Sequence, residues 1–321
     1  MADRSNALQV LGCDVSRDCV TIFDSLSGAL HDVDNNPKAL CRALAKLVAG
    51  STSDVLVVCE ATGGYEAKLL GAAWQAGLPA HRADPRKAHS FARSLRSEGK
   101  TDSIDAQGLA RYGLERGEGL PLWQPPTPAQ QALRGLVRLR ADLVATRADY
   151  SRRLQAPGQG PHKRHIEALL KDLDGNIETL ETDIDRLVAQ DTSLVELFEV
   201  ICAIPGCGRK TAIVLLALMP ELGQLTRRQA AALAGLAPHP NDTGRSKGYR
   251  RVRGGRPEIK VALFMAALSA SRYHPQLSQH YQHLLDQGKD KLVALIAIAR
   301  KLITIINAKI RDALFPRQEL C

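Results

Sequence analysis

Two short apolar runs, each closed by an acid, limit what this chain can fold into. The first, Ala7–Val15, carries Asp14 in LGCDVS. The second, Asp54–Glu60, ends DVLVVCE. Asp54–Glu60 is nearly continuous in apolar residues, as a strand covered on both faces must be. Ala7–Val15 also reads as a strand, and Cys19–Asp24 as a second that pairs with it through a tight turn. Lys38–Ala49 has apolar residues at helical spacing. Gly63–Gly64 breaks the chain after Glu60, a helix follows through Leu69–Ala76, and Leu78–Ala83 is another short strand. A helix starts near Asp102 and runs to about Arg116. Hairpin strands followed by alternating strands and helices predict a mixed α/β sheet with helices on both faces over residues 1–120.

Gly117–Pro128 is a linker, because Pro121, Pro125, Pro126 and Pro128 exclude a helix. Beyond it, Leu133, Leu136, Leu139, Leu143 and Thr146 follow 3/4 spacing along Gln131–Leu154. Pro157, Gly158, Gly160 and Pro161 interrupt the pattern. A second helix from about Ile166 to Val188 carries Leu169, Leu173, Ile177, Leu180, Ile184 and Leu187 on one seam. Residues 121–193 thus read as a linker and an antiparallel coiled-coil arm, with a helical hairpin packed on its own domain as the plainer alternative. Residues 194–321 read as mostly helical, with one non-helical basic segment at Pro238–Pro257.

The 321 residues carry a formal charge of +9. That balance favours a nucleic-acid partner, while aromatic residues at 4% are too few for wide base-stacking platforms. The seven cysteines (13, 19, 41, 59, 202, 207 and 321) form no CxxC and precede no histidine pair at zinc spacing. They fit reduced core thiols in a cytoplasmic protein. The first residues lack a signal-peptide pattern. Arg300 and Lys301 interrupt the most apolar C-terminal stretch, so no membrane span is expected.

Asp14 and Glu60 sit at strand ends, while Asp102 and Asp105 are three apart at a helix start and share one face. Taken singly, such acids end a strand, precede a turn or cap a helix. Brought together they would repel one another unless a divalent cation sat between them, and an all-oxygen ligand set selects Mg²⁺ or Mn²⁺ over zinc. Metals held by acids on a strand-rich scaffold recur in phosphodiester chemistry.

Two further segments bear on a polyanion. In Ile204-Pro-Gly-Cys-Gly-Arg-Lys-Thr, Gly206, Gly208, Arg209, Lys210 and Thr211 form a glycine turn before a helix. It resembles a helix-hairpin-helix, whose backbone N–H groups face a phosphate; the alternative is a helix break with a glycine cap. Its spacing is too short for a P-loop. In Ala234–Pro257, Arg245, Lys247, Arg250, Arg251, Arg253 and Arg256, with Lys260 just beyond, crowd a glycine-rich stretch with few acids. Such a field can hold a scissile phosphate and activate a hydroxyl, Thr243 or Ser246, as nucleophile. It can equally be a solvated basic loop.

The order GCDVS, CEATGGYE, KTDSIDA, IPGCGRKTA, AGLAPHPNDTG, RGGR and LFMAALSASRY resembles the DEDD transposases of insertion sequences, the class called bridge-RNA-guided serine recombinases. Pilin-gene DNA invertases are similar, and the resemblance covers nearly the whole chain. It implies an N-terminal RNase-H-like domain of the Holliday-junction-resolvase type, a coiled-coil region and a C-terminal transposase domain. It implies that Asp14, Glu60, Asp102 and Asp105 bind the metal. It further implies a dimer that assembles to a tetramer, in which one subunit's acids meet another's nucleophile. A structured non-coding bridge RNA would pair with donor and target double-stranded DNA. Cleavage would pass through a covalent 5′-phospho-enzyme link and a Holliday junction, in the nucleoid-associated cytoplasm of a prokaryote. One position departs from the family: its nucleophilic serine precedes a glycine, and here Thr243 stands before Gly244. Threonine keeps the hydroxyl but adds a methyl group that crowds attack and restricts χ1. Thr243 is the expected nucleophile, with Ser246 the alternative. A junction resolvase or nuclease that uses water, needing only the acids, is the first rival reading. A catalytically weak RNA- or DNA-binding copy is the second.

Overall fold

The computed structural model describes residues 9–48, 52–95, 102–117, 119–158, 160–239 and 251–315, with the backbone alone at 53, 92, 93, 95 and 102–104. The chain divides into two compact units, Met1–Pro125 and Pro126–Cys321.

The first unit is built on a five-stranded sheet of order β3-β2-β1-β4-β5. Its strands are β1 (Gln9–Val15), β2 (Cys19–Asp24), β3 (Leu30–Asp34), β4 (Val55–Glu60) and β5 (Ala80–Ala83). The hairpin pairs are antiparallel and β1–β4–β5 run parallel, giving the mixed sheet that the sequence predicts. The two faces follow from the period of two. Leu11, Cys13, Val15, Val57 and Cys59 turn to one face, where they pack on Leu40 and Leu44 of α1 (Pro37–Leu47) and Leu69 and Leu70 of α2 (Ala67–Gln75). Val10, Leu56 and Val58 turn to the other and meet Ala88 of α3 (Pro85–Leu95) and Leu109 and Ala110 of α4 (Asp102–Arg116). Burying each such large aliphatic side chain stabilises the fold by about 1.5–3 kcal/mol.

Two elements escape the sequence reading. β3 is an edge strand whose residues alternate between exposed and half-buried, so it lacks an apolar signature. α3 is short and rich in basic residues. Asp84 starts it by accepting hydrogen bonds from the N–H groups of Arg86 and Lys87 at 2.9 and 3.2 Å.

The second unit is helical apart from one two-stranded ribbon. Its long pair, α5 (Pro128–Gln155) and α6 (Lys163–Gln190), is antiparallel, and Arg140–Glu181 and Arg147–Asp174 ion pairs lie on the same register. Thr127 and Gln130 close a reciprocal capping box at the start of α5. Leu133, Val137, Ile184 and Val188 enter the core of the unit, whereas no residue described between Arg138 and Asp172 is fully buried. Three positions assigned to the seam from spacing lie outside it: Leu139, Thr146 and Leu169 are exposed, and Leu170 is half-buried instead. A 3.6-residue helix drifts relative to a 3.5-residue stripe, which moves the inner face to neighbouring positions.

The core is completed by α7 (Thr192–Cys202), α8 (Arg209–Leu218), α9 (Arg227–Leu233), α10 (Pro257–Tyr273), α11 (Pro275–Asp286) and α12 (Lys291–Leu314). α12 is the central helix, with Ile298, Leu302, Ile303 and Ile306 fully buried. Its one buried amide, Asn307, accepts from Gly223 N–H at 2.9 Å and donates to the Leu225 carbonyl at 2.8 Å. Both ends of the amide are therefore satisfied. Among the described residues no helix is long and apolar enough to cross a membrane.

Candidate functional site

Strand register sets Asp14 beside Glu60. Cys13 of β1 pairs with Cys59 of β4, so the next residues, Asp14 and Glu60, lie side by side at the carboxyl ends of neighbouring parallel strands. Adjacent strands are about 4.8 Å apart. Alternation puts Asp14 on the face of Val10 and Gly12, and Glu60 on the face of Leu56 and Val58, which is the side covered by α4. Both acids are half-buried.

α4 is set by glycines. A Cβ added to Gly113 would lie 2.6 Å from a methyl of Val10, and one added to Gly12 would lie 2.2 Å from the Ala106 carbonyl and 2.3 Å from the Ala110 nitrogen. Going from Val10 to Gly12, the contact on α4 thus moves back from Gly113 to Ala106. One step further along β1, the same progression leads from Gly12 to Asp14 and from Ala106 to the first turn of α4, which contains Asp102 and Asp105. Asp105 is half-buried, and the Asp102 side chain lies outside the described residues. Among the described residues no group of three His, Cys, Asp or Glu is close enough to hold a metal ion, so Asp14, Glu60 and Asp105 do not form a closed cage on their own. The donor set, carboxylate oxygens alone at one end of the sheet, suits a hard divalent cation.

Two residues that the sequence reading passed over shape this edge. Glu66, 4% exposed, accepts from Gly64 N–H at 2.8 Å, Thr62 N–H at 3.1 Å and the Thr62 hydroxyl at 3.3 Å. Arg82 of β5 stands 3.5 Å away. Burial alone would raise the Glu66 pKa, but the backbone N–H donors and Arg82 outweigh it and hold the carboxyl below its usual range. Gly63 and Gly64, at φ +72° and +113°, make the turn that aims those N–H groups at one carboxylate. Asn35, also 4% exposed, donates from Nδ2 to the Ser16 carbonyl at 2.8 Å and the Tyr65 carbonyl at 3.2 Å. It therefore ties the turn after Asp14 to the loop after Glu60. The signal for Glu66 was present in TGGYE, where a glycine pair precedes an acid. Asn35 had no local signal, because its partners are distant in sequence.

In the second unit the glycine turn of residues 204–208 joins α7 to α8. Gly206, at φ +98°, presses against α10, where an added Cβ would lie 2.6 Å from the Ala270 nitrogen. Thr211 is buried. Gly206 thus packs on α10, and Thr211 is turned into the core of the unit. Arg209 Nε donates to Asp185 at 2.8 Å, and Lys210 Nζ lies 3.7 Å from Glu181. Arg209 and Lys210 are thus engaged with α6, beside a cavity of about 310 Å³ that Arg138 and Arg140 also line. Pro205, Gly208 and Lys210 are the exposed members of the segment.

The basic segment is held at its base. β6 (Pro238–His239) pairs with β7 (Arg251–Val252) in an antiparallel ribbon. Below it Gly235 and Gly255, at φ +67° and +71°, touch: a Cβ on Gly255 would lie 2.1 Å from the Gly235 nitrogen. Thr243, Arg245, Ser246, Lys247 and Arg250 lie between the two strands, outside the described residues. Arg251 and Arg253 are exposed. Arg256 is committed elsewhere. It donates through both terminal nitrogens to Glu221 at 2.8 and 2.6 Å and to the Leu218 carbonyl at 2.6 Å. In this structure it fastens the start of α10 to the end of α8 and the turn that follows, and is not the outward phosphate contact expected from the sequence.

An acid-edged mixed sheet followed by a helical unit with a clamped basic ribbon is the plan of a transposase-class recombinase, and the comparisons agree. A transposase family model matches residues 12–157, and a model of the transposase IS116/IS110/IS902 family matches residues 198–282. The pilin gene-inverting protein of Moraxella lacunata is 32% identical over 267 residues, 82% of each chain. Its namesake from Moraxella bovis matches to the same extent. An uncharacterized 43.6 kDa protein of insertion element IS110 from Streptomyces coelicolor is 30% identical over 164 residues, 50% of this chain and 40% of the other. The chain belongs to the IS110 family of insertion-element transposases, and is an enzyme of that class.

Proposed function

We propose that the protein is an RNA-guided, site-specific DNA recombinase that moves an insertion sequence by cutting and rejoining DNA through a covalent link to its own hydroxyl. The observation that carries this reading is the side-by-side placement of Asp14 and Glu60 at the strand ends, beneath the helix that begins with Asp102 and Asp105.

In this reading Asp14, Glu60, Asp102 and Asp105 hold Mg²⁺ or Mn²⁺. A divalent ion bound there supplies charge neutralisation at the scissile phosphate and favours the ionised form of an attacking hydroxyl. Glu66 and Asn35 keep the loops after Glu60 and Asp14 in place. Thr243, or Ser246, attacks phosphorus: the Oγ–P bond forms, the P–O3′ bond breaks, and the 3′ oxygen leaves with a proton. The phosphodiester is exchanged for a phospho-enzyme ester, so the reverse attack by a 3′-hydroxyl rejoins strands without ATP. Arg245, Lys247, Arg250, Arg251 and Arg253 neutralise charge on the transferring phosphate. Sequence choice comes from pairing of a structured guide RNA with donor and target DNA, while the protein holds backbone and shape. The enzyme works as a dimer assembling to a tetramer, with acids and hydroxyl from different subunits. The RNase-H-like character of the sheet unit and the helix-hairpin-helix character of residues 204–211 belong to the same reading.

The test is incubation with Mg²⁺, the structured transcript flanking the gene, and donor and target DNA. Joined product and a protein–DNA adduct that resists denaturant are expected. Both should vanish in Asp14→Asn, and the adduct should vanish in Thr243→Ala. Cleavage without any adduct in the unaltered protein would leave a water-using resolvase. Binding without cleavage would leave a silent nucleic-acid-binding copy.

A further inference from the structure

The sequence reading assigned no role to α3, which emerges directly beside the acid edge. Ala83, the last residue of β5, pairs with Glu60, and its carbonyl accepts from Ala61 N–H at 3.3 Å. Asp84 then caps α3, so the helix begins two residues past the partner of Glu60.

Packing decides which way the helix faces. Ala88 is buried, and Phe91 meets Tyr112 of α4 edge-on, with ring centroids 5.4 Å apart. The opposite side carries Arg86, Lys87, His89, Ser90 and Ser94, all exposed. From Pro85 to Leu95 the chain has no Asp or Glu; Asp84 accepts only from the backbone N–H groups of Arg86 and Lys87, and among the described residues no carboxylate pairs with their side-chain cations. Arg209, Lys210 and Arg256 of the second unit, by comparison, are each matched by an acid, whereas Arg251 and Arg253 beside the ribbon are exposed as Arg86 and Lys87 are. An uncompensated basic face with small hydroxyls between the charges suits the repeating phosphates of a nucleic-acid backbone and carries no base-reading geometry.

We propose that the exposed face of α3 is a DNA-backbone track, on which Arg86 and Lys87 hold phosphates of the strand leading to the acid edge. The proposal rests on that edge acting on DNA. DNA is its occupant because the track starts one strand away from Glu60, so a backbone lying on it passes the carboxylates.

The experiment uses the full chain and fluorescence anisotropy with labelled duplex DNA over a series of salt concentrations. Each phosphate contact contributes about 0.9 to the slope of log affinity against log salt, so Arg86→Gln/Lys87→Gln should flatten the slope by roughly 1.8. The loss should be equal for unrelated DNA sequences. The charge-preserving Arg86→Lys/Lys87→Arg protein should retain the original slope, which separates loss of charge from loss of fold. An unchanged slope in the glutamine variant overturns the proposal. So does a loss confined to binding of a structured RNA of similar length. Asp14→Asn, measured for strand joining, tests the recombinase reading separately: joining that survives this change defeats that reading without altering the slope comparison.

Discussion

Gly12 of β1 and Ala106 of α4 are in backbone contact, so close that a methyl group on Gly12 would lie 2.2 Å from the Ala106 carbonyl. The contact sits between the core and the acids, and it sets how far the first turn of α4 stands from Asp14. Backbone atoms cannot swing aside as a side chain can, so Gly12→Ala must lift the helix. Overpacking of this kind costs about 1–3 kcal/mol. The loss should appear in urea unfolding, together with weakened Mn²⁺ binding in calorimetry. Gly71 of α2 is the control, because a Cβ there meets nothing within 4 Å. Gly71→Ala should stabilise by about 0.5–1 kcal/mol through helix propensity.

Glu66 predicts a pH dependence. Its folded pKa is depressed, so its contribution is complete above the ordinary glutamate value of 4.5 and is lost as pH falls through the lower folded value. Glu66→Gln should destabilise at neutral pH by about 1.5–3 kcal/mol, the range for hydrogen bonds to a charged group. It should also flatten the acid limb of stability against pH. Urea melts of both proteins across that limb check the sign.

Asn35 holds two loops with one amide. Asn35→Asp removes the donor and sets a carboxylate against the Ser16 and Tyr65 carbonyls. Unfolding should cost about 1–3 kcal/mol less than in the unaltered protein, with faster hydrogen exchange at residues 62–66. Asn36→Asp next door should be nearly silent, because either side chain caps α1.

The Gly235–Gly255 contact predicts a fragile ribbon. Gly255→Ala meets both a left-handed backbone, costing about 1–2 kcal/mol, and a clash with Gly235. Tryptic cleavage after Arg251 and Arg253 should accelerate, and strand joining should fall with it.

Thiol reactivity gives a check on both cores. Burial, followed by the charge of Glu66, pushes Cys59 up to about 12, and burial likewise raises Cys13 and takes Cys207 to about 12. In the native protein at mildly alkaline pH, mass spectrometry after alkylation should find Cys19 and Cys41 modified. Cys13, Cys59 and Cys207 should be modified only after unfolding.

The sheet unit was legible because its strands are apolar and its acids stand where those strands stop. β1, β2, β4, β5, α1, α2 and α4 follow from periodicity that any burial on both faces imposes. β3 and α3 were not legible: an edge strand and a basic surface helix bury too little to leave an apolar pattern. In the helical unit, spacing placed α5 and α6 correctly but assigned Leu139 and Leu169 inward, since the drift of the seam depends on the partner helix.

The sequence by itself determined the basic character of the chain and the order of the elements that bury an apolar face, because both are written in local composition. Which cations are already neutralised was decided only by tertiary structure. Arg256 and Arg209 look like Arg86 in a string of letters, yet Glu221 and Asp185 reach the first two across 35 and 24 positions of chain. The charge a surface offers to a partner is what remains after such long-range pairing, and pairing is a property of the fold.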